Sequence, residues 1–370
     1  LVARERVEML TLVGDAPGMF SVLADRGRGK SAALGLGIAR ASSTRSLRVA
    51  LCAASPDGLG EVLHFAAGAA VTVLEPAELA AAEAGSLDAL VIDEAAQLAV
   101  PLLVRIAERH RGARIVLSTT CRGYEGTGRG YVLRFLEWAR ASGRTLRERT
   151  LTEPIRVAAG DPLERFVHAL LLLDAEPASL TEGRTALPTP SAVPTFHERV
   201  DADRLAADEP LFRDAFGLLV HAHYRTTPGD LVRILDAPNL ALHVLREAGR
   251  VVASSLVARE GSLEPAYAAA LARGQERIRG HALADTLVSH CQRPDAGVLS
   301  MVRSVRIATH PGRRRCGLGR ALVEAIHGAH EADLFGTVFG ATASLLEFRR
   351  ALGYELVTRR RANPRIEATV

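Results

Sequence analysis

A short glycine-rich stretch with a lysine could bind phosphate. Starting at Ala24, the chain reads Ala-Asp-Arg-Gly-Arg-Gly-Lys-Ser, the spacing G-x-x-x-x-G-K-[ST] with Ala24 in place of the first glycine. Gly27 and Gly29 would let backbone N–H groups curl around phosphate oxygens at the start of a helix. Lys30 would reach the β- and γ-phosphates of a nucleotide, and Ser31 would offer its hydroxyl to Mg²⁺. The stretch predicts a nucleoside triphosphate site, and the alternative is an ordinary glycine-rich turn.

An apolar run at 90–92 ends in two acids, Asp93 and Glu94. After a phosphate loop, such a strand supplies one carboxylate to the Mg²⁺ shell and another that polarises the attacking water. We assign these roles to Asp93 and Glu94, with Glu94 as the catalytic residue, and the alternative is a helix N-cap. Residues 118–120, Ser-Thr-Thr, follow the next apolar run, where a helicase-type sensor would lie. Arg156 is a candidate contact to the γ-phosphate.

A second basic loop lies near the other end of the chain. From Arg314 the sequence reads Arg-Arg-Cys-Gly-Leu-Gly, which resembles the R-x-x-G-x-G pyrophosphate loop of the GNAT superfamily of N-acetyltransferases. Its glycines would admit the pyrophosphate of coenzyme A to a helix N-terminus. Residues 307–309 would offer backbone N–H groups to the thioester and pantetheine. The alternative is a basic turn before a helix. Superfamily members often carry a proton-donating tyrosine where this chain has Arg349, so the general acid stays open.

Lysine is almost absent from this chain. Lysine and arginine together number 46, and Lys30 is the only lysine. Because a guanidinium does not replace a compact ammonium at every phosphate site, this retention supports a phosphate-binding role for Lys30. The net charge of +4 permits a nucleic-acid partner. Widely spaced Cys52, Cys121, Cys291 and Cys316 predict a reduced, cytoplasmic protein without a structural metal. No apolar run is long enough to predict a membrane span.

The arrangement of apolar runs predicts two domains in these 370 residues. In the first half, short apolar runs alternate with helical stretches, which predicts an α/β fold with a parallel sheet. Together with the phosphate loop, this half resembles a RecA-like parallel-sheet P-loop ATPase domain. The expected strands there are 20–23, 48–53, 71–74, 89–92 and 114–117. A proline-rich stretch then predicts a linker. A GNAT-superfamily N-acetyltransferase α/β domain should follow, with a hairpin turning at Ala248-Gly249, a strand at 302–309, helices at 318–330 and 344–352, and a last strand from Leu352. The expected segments are an ATPase domain at 1–175, a linker at 176–195, a GNAT domain at 196–358 and a basic tail at 359–370.

Taken together, both halves resemble one family. The chain is similar to the tRNA(Met) cytidine acetyltransferase family, which joins a RecD-like helicase module to an acetyltransferase module. The matching stretches are 24–34, 91–98, 118–130, 151–164, 220–238 and 306–320. The resemblance implies ATP-dependent transfer of acetyl from acetyl-CoA to the exocyclic amine of the wobble cytidine of elongator tRNA(Met). Relative to the family, we expect a short form without the extra N-terminal and C-terminal domains.

The motifs and the resemblance predict two sets of binding residues, one for ATP with Mg²⁺ and one for acetyl-CoA. The expected ATP site comprises Ala24, Asp25, Arg26, Gly27, Arg28, Gly29, Lys30, Ser31, Ala32, Asp93 and Arg156, with Ser31 and Asp93 on Mg²⁺. The expected acetyl-CoA site comprises Ile307, Ala308, Thr309, Arg314, Arg315, Cys316, Gly317, Leu318, Gly319, Arg320 and Arg349. RNA contacts are expected from arginines around 122–129 and 359–361. Two other functions stay open: an acetyltransferase acting on a protein or small-molecule amine, and an RNA-remodelling ATPase with a vestigial transferase domain.

Overall fold

The computed structural model describes residues 17–66, 68–120, 131–177, 180, 194–222 and 228–358. The described residues divide into two compact units, the first ending at Asp174 and the second beginning at Ala175. The predicted linker at 176–195 lies mostly outside the described residues, as do the basic segments at 122–129 and 359–370. In the described part of the chain, no helix has the length and apolar character needed to cross a membrane.

A six-stranded parallel sheet forms the centre of the first unit. Its strands are β1 (Gly18–Ala24), β2 (Val49–Cys52), β3 (Val71–Val73), β4 (Ala89–Ile92), β5 (Arg114–Thr120) and β6 (Leu146–Leu151), in the order β3-β2-β4-β5-β1-β6. Its helices are α1 (Lys30–Thr44), α2 (Gly60–Phe65), α3 (Pro76–Ala81), α4 (Val100–Arg109), α5 (Leu136–Ala141) and α6 (Pro162–Leu170). Strands β2, β4 and β5 are buried along their whole length, because apolar cores cover both faces of the sheet. The expected parallel α/β fold is confirmed.

The end of β5 and the whole of β6 differ from the sequence-based expectation. Strand β5 continues to Thr120 instead of ending at Leu117, so the Ser-Thr-Thr triplet lies inside the strand. Strand β6 was not predicted, because its sequence Leu-Arg-Glu-Arg-Thr-Leu has four polar residues in succession. It is an edge strand that pairs only with β1 among the described strands, and its central residues are exposed. An edge strand of this kind gives almost no apolar signal.

The second unit is built on a five-stranded sheet. Its strands are β7 (Thr195–Val200), β8 (Leu240–Glu247), β9 (Arg250–Gly261), β10 (Ser300–Thr309) and β11 (Leu334–Thr337), in the order β11-β10-β9-β8-β7. Only the β10–β11 pair is parallel, and the other pairs are antiparallel. Its helices are α7 (Ala202–Ala207), α8 (Glu209–Ala222), α9 (Pro228–Asp236), α10 (Pro265–Ala272), α11 (Ala282–Asp285), α12 (Pro294–Gly297), α13 (Leu318–Ala329) and α14 (Ala343–Arg350). Helix α13 packs Leu322 and Ile326 on one face of the sheet. The expected second α/β domain is confirmed.

Two local predictions in the second unit had different outcomes. The β8–β9 hairpin turns at Ala248 and Gly249, both with positive φ (49° and 85°), the geometry that matches the twist of paired strands. The strand expected from Leu352 is wrong: residues 351–353 form a turn and 354–358 are irregular. Gly353 takes a φ of 85°, and the Tyr354 N–H donates to the Arg349 carbonyl at 3.1 Å. This backbone donor therefore closes the end of α14 instead of joining a strand.

Candidate functional sites

The turn between β1 and α1 has the backbone shape that phosphate binding requires. Gly27 and Gly29 have φ values of 72° and 76°, in the left-handed region that glycine adopts without strain. Helix α1 begins directly after Gly29 and has no side-chain cap at its N-terminus. The first N–H groups of a helix need external acceptors. This N-terminus can therefore receive an anion.

Lys30 is almost fully buried and points toward the ends of β4 and β5. Its ammonium donates to Thr120 Oγ1 at 3.1 Å and lies 3.3 Å from Glu94 Oε1. Thr120 also binds the Glu94 carboxylate, through its backbone N–H at 3.0 Å and its hydroxyl at 2.8 Å. These three residues come from three separate segments. They meet because the carboxyl ends of parallel strands share one edge of the sheet.

Asp93 is the second carboxylate of the cluster and is 3% exposed. It accepts a hydrogen bond from Ser31 Oγ at 2.7 Å and another from Ser118 Oγ. The backbone N–H of Glu94 also donates to Asp93, at 3.0 Å. Glu94 has φ 47° and ψ 47°, an unusual conformation for a residue other than glycine, and such conformations concentrate at functional sites. A hydroxyl and a carboxylate in contact are hard oxygen donors that fit Mg²⁺.

Residues distant in the sequence contact the remaining part of the predicted phosphate loop. Arg28 forms a two-point ion pair with Glu164 at 2.7 and 3.2 Å and donates to the Thr152 carbonyl at 3.1 Å. Hydrogen bonding by Arg28 lowers the pKa of Glu164. The backbone N–H groups of Ile155 and Arg156 donate to the Gly27 carbonyl at 2.9 and 3.2 Å. Arg156, which is far away in sequence, therefore lies against the loop, with its side chain exposed.

The remaining residues predicted for the ATP site lie at the end of β1, in the loop after it and at the start of α1. Ala24 is completely buried as the last residue of β1 and pairs with Thr120. Asp25 and Arg26 follow it in the loop, and Ala32 lies in the first turn of α1. The structure thus brings every predicted residue to one edge of the sheet or to the loop beside it. Their roles toward ATP stay predictions.

The predicted acetyl-donor residues begin on β10. Strand β10 pairs with β11 only from Met301 to Ser304, and a bulge lies between Ser304 and Arg306. On the other side, pairing with β9 continues to Thr309. Beyond Ser304, the edge that carries Ile307–Thr309 therefore has no strand partner among the described residues. An edge of this kind offers backbone donors and acceptors to an extended ligand.

The loop after β10 leads into α13 with two residues of positive φ. Arg315 has φ 61° and Gly317, the residue before the helix, has φ 81°. Helix α13 lacks a side-chain cap, as α1 does. A Cβ on Gly319 would lie 3.4 Å from the ring of Phe348 and 3.7 Å from Thr309 Oγ1, so the helix start, the strand end and α14 meet there.

Arginines around this loop divide into two groups. Arg313 is buried and paired with Glu247 at 3.1 Å, so it anchors the loop. Arg320 donates to the Ala351 carbonyl at 2.8 Å and pairs with Glu324 at 3.3 Å. Arg314 and Arg315 are exposed, and Cys316 is partly buried with its thiol 3.4 Å from the Arg314 carbonyl. Leu318 starts α13 and contributes to the apolar core beneath it.

Arg349 is 7% exposed and reaches back to β10 from α14. Its Nη2 donates to Ser304 Oγ at 3.2 Å, and its guanidinium lies 5.5 Å and 5.2 Å from the ring centres of Phe348 and Tyr354. Burial lowers the pKa of Arg349. The Tyr354 hydroxyl in turn forms a 3.0 Å hydrogen bond with His327 Nε2. Sequence reasoning placed Arg349 near the coenzyme but gave no signal for these partners.

A chain of three histidines also escaped the sequence analysis. His243 is completely buried between His197, at 3.0 Å from its Nδ1, and His330, at 2.9 Å from its Nε2. Burial, reinforced by the neighbouring positive groups, lowers the pKa of His243 to about 3. The three residues come from β7, β8 and the end of α13, so no spacing in the sequence links them. No group of three or more potential metal ligands occurs in the described part of the chain.

Two family models match the chain, in the order of its two units. The model described as RNA cytidine acetyltransferase NAT10/TcmA, helicase domain, matches residues 21–174, and GNAT acetyltransferase 2 matches residues 214–331. Curated proteins named tRNA(Met) cytidine acetyltransferase TmcA are similar along most of the chain. The one from Haloferax volcanii is 40% identical over 95% of this chain and 48% of its own length. Those from Nitrosococcus halophilus and Citrobacter koseri are 39% and 38% identical, over 89% and 92% of this chain and 46% and 48% of their own lengths. The chain spans about half the length of these relatives.

Proposed function

Because the chain belongs to the tRNA(Met) cytidine acetyltransferase family, we propose that it transfers acetyl from acetyl-CoA to the exocyclic amine of the wobble cytidine of elongator tRNA(Met), driven by ATP. The proposal depends on one observation, the presence of two sites in the same chain. At the glycine-rich loop before α1, Lys30 and Ser31 form a cluster with nearby carboxylates. In the second unit, the uncapped start of α13 lies beside the part of β10 that has no strand partner among the described residues. The reaction would take place in the cytoplasm, where tRNA is processed.

The first cluster supports ATP binding with Mg²⁺. Ser31 and Asp93 would hold the ion, which supplies charge neutralisation to the phosphates. Lys30 contacts Glu94, and incoming β- and γ-phosphates would compete for the same ammonium. Once Lys30 turns to phosphate, Glu94 keeps its two hydrogen bonds from Thr120 and is free to polarise the attacking water. The pairing of Lys30 with Glu94 would therefore hold the water-polarising carboxylate in an ion pair until ATP binds.

The second cluster supports acetyl-CoA binding. The pyrophosphate would lie at the N-terminus of α13, near Gly317 and Gly319, and the pantetheine would run back along the free edge of β10. The cytidine amine would then attack the thioester carbonyl from the open side of this edge. A stacked cytosine cannot reach such a site. ATP hydrolysis would therefore serve to remodel the anticodon loop and present the base.

The test uses the chain as it stands with transcripts of elongator tRNA(Met), acetyl-CoA, ATP and Mg²⁺. Digestion to nucleosides and mass spectrometry should detect N4-acetylcytidine with ATP and at most a trace without it. Initiator tRNA(Met) and a transcript with uridine at the wobble position are the matched controls. Because phosphate contacts dominate RNA affinity, tRNA binding should weaken steeply as salt rises.

Three results would reject the proposal. Absence of acetylcytidine in every tRNA, with acetyl-CoA bound normally, would exclude the RNA substrate. Acetylation of a peptide or small amine at the same rate with and without ATP would favour the alternative acetyltransferase. ATP hydrolysis without any acetyl transfer would favour the remodelling ATPase.

A further inference from the structure

Arg349 is a buried cation that has no acidic partner among the described residues. Its contacts are the neutral hydroxyl of Ser304 and the side chains of two aromatic residues, Phe348 and Tyr354. Its second terminal nitrogen, Nη1, is buried and makes no hydrogen bond. A guanidinium that is 7% exposed therefore keeps one donor group unused. Buried polar groups are nearly always hydrogen-bonded, so an unused donor points to a missing acceptor.

Arg313 in the same unit is a useful comparison. It is 6% exposed, similar to Arg349, but it lies 3.1 Å from the carboxylate of Glu247, which is itself buried. Burying a charge is expensive unless a group of opposite charge is close. Arg313 meets that condition with a residue of its own chain. Arg349 does not meet it with any described residue, so we look for the completing anion in a ligand.

The position of Arg349 indicates which part of the ligand would supply this anion. Its hydrogen-bond partner Ser304 is the last residue of β10 that pairs with β11, so the guanidinium lies where the free edge of β10 begins. The loop for the pyrophosphate follows the other end of this edge, after Thr309. At about 3.3 Å per residue, the edge from Thr309 back to Ser304 spans about 16 Å. A pantetheine arm extended along it would bring its sulfur toward Arg349.

We infer that Arg349 binds the sulfur of coenzyme A and stabilises the thiolate that leaves during acetyl transfer. This inference rests on the proposed function. In the reaction the amine nitrogen bonds to the acetyl carbon, the carbon–sulfur bond breaks, and its electron pair stays on sulfur. The amine gives up its proton to water. The guanidinium offers a positive charge and an N–H to the new anion and does not lose a proton itself.

The neighbouring phenol is less suited to this role. The Tyr354 hydroxyl is already hydrogen-bonded to His327 Nε2 at 3.0 Å. Burial raises the pKa of Tyr354, which makes it a weaker acid. The guanidinium of Arg349 stays charged near neutral pH although burial lowers its pKa. Within this cluster, the unused donor is Arg349 Nη1.

The experiment measures the ionisation of the thiol of CoA bound to the full chain. Thiolate has an ultraviolet absorption band, so a pH titration of the complex reports the pKa of the bound thiol. Free CoA titrated under the same conditions gives the reference pKa of its thiol. We expect wild type to lower it by at least about one unit, Arg349→Lys to keep part of the shift, and Arg349→Met to abolish it. In steady-state kinetics, Arg349→Met should lower kcat at least about tenfold with little change in KM for acetyl-CoA.

The controls separate this role from others. Arg350→Met is the matched control, because Arg350 is the next residue and is exposed; it should behave as wild type. Desulfo-CoA has no thiol and should bind wild type and Arg349→Met equally. An unchanged thiol pKa in Arg349→Met would overturn the inference, and so would a parallel loss of desulfo-CoA binding. Tighter binding of succinyl-CoA than of acetyl-CoA by wild type, with loss of that preference in Arg349→Met, would also overturn the inference. It would show that Arg349 binds the carboxylate of an acyl group. Failure of wild type to bind CoA at all would instead reject the proposed function.

Discussion

Lys30 and Arg349 are both buried cations, and their surroundings differ in an informative way. Lys30 lies between Glu94 and Thr120 at 3.3 and 3.1 Å, so its charge is compensated before any nucleotide binds. Arg349 has only neutral partners in the described part of the chain. The proposed ligands would therefore have opposite consequences at the two residues. At Lys30 a phosphate would replace an existing ion pair, whereas at Arg349 a thiolate would supply a missing one.

Replacing Lys30 by arginine should damage ATP hydrolysis almost as much as replacing it by alanine. The ammonium fits between two oxygens in a space where only 7% of the residue is exposed, and a planar guanidinium is wider and longer. We expect Lys30→Arg to lower steady-state phosphate release at least about a hundredfold, the scale of losing one positioned charge contact. Hydrolysis at the wild-type rate in Lys30→Arg would show that the loop does not bind the phosphates as proposed.

His243 should make the protein less stable in mild acid. Because burial depresses its pKa to about 3, the unfolded chain binds more protons than the folded chain below about pH 6.5. The free energy of unfolding should therefore be highest above pH 6.5 and should fall by about 1 kcal/mol per pH unit below it, until the folded pKa is reached. Urea unfolding at pH 7 and pH 5 measures this slope. It should be shallower in His243→Gln and unchanged in His64→Gln, where the histidine is exposed.

At the level of elements, two helices begin in the same manner. Both α1 and α13 follow a glycine of positive φ, Gly29 at 76° and Gly317 at 81°, and neither has a side-chain cap. Both also follow a strand that belongs to a central sheet, which fixes where the helix starts. An uncapped helix start beside a strand end is a general anion site. In α1 and α13 this arrangement occurs with different neighbours.

Gly35 should be essential for the packing of α1 against α2. A Cβ at this position would overlap the Val62 carbonyl oxygen and lie 2.7 Å from Phe65 Cβ. We expect Gly35→Ala to lower the free energy of unfolding by about 1–3 kcal/mol through overpacking, which outweighs the better helix propensity of alanine. Gly60→Ala, in α2, is the control: nothing lies within 4 Å of its Cβ position, so it should be neutral or slightly stabilising. Urea denaturation of both variants measures the difference.

At the level of the whole molecule, each unit has its own sheet, its own core and its own candidate site. The residues expected to bind ATP belong to the first unit, and those expected to bind acetyl-CoA belong to the second. We therefore expect binding of either ligand to depend on contacts within one unit, whereas the proposed acetyl transfer to RNA would require both activities. Variants at one site should therefore leave ligand binding at the other intact.

Gly319→Glu tests this separation. A carboxylate in the first turn suits a helix N-terminus, and Gly319→Ala adds only a methyl group at an ordinary distance of 3.4 Å from Phe348, so both variants should fold. The glutamate would repel the pyrophosphate, and CoA affinity measured by calorimetry should fall at least about a hundredfold. Gly319→Ala should change it little. Phosphate release from ATP should be the same in all three proteins, and a loss of hydrolysis in Gly319→Glu would contradict independent sites.

Local sequence was sufficient to predict the two glycine-rich turns before α1 and α13 and most of the elements that carry them. Residues 24–31 and 314–319 are continuous segments whose glycines set the backbone directly, and buried strands such as β4 are continuous apolar runs. Edge strands β6, β7 and β11 were missed because an edge needs few apolar residues. The strand expected at Leu352 was wrong because Gly353 and a backbone hydrogen bond to Arg349 end the helix in a turn.

Tertiary structure alone decided which side chains meet. The hydrogen bonds of Lys30 with Thr120, of Ser31 with Asp93 and of the histidine chain around His243 join residues that are between 46 and 90 positions apart. Such pairs depend on strand order and register, which no short pattern encodes. The burial of Arg349 beside Ser304 likewise follows from two features of β10. Its pairing with β11 ends at Ser304, and a bulge lies between Ser304 and Arg306. The sequence by itself predicted which ligands the loops would bind, and packing decided which charges are compensated within the described residues. Arg349 is the buried cation for which we propose a partner in the ligand.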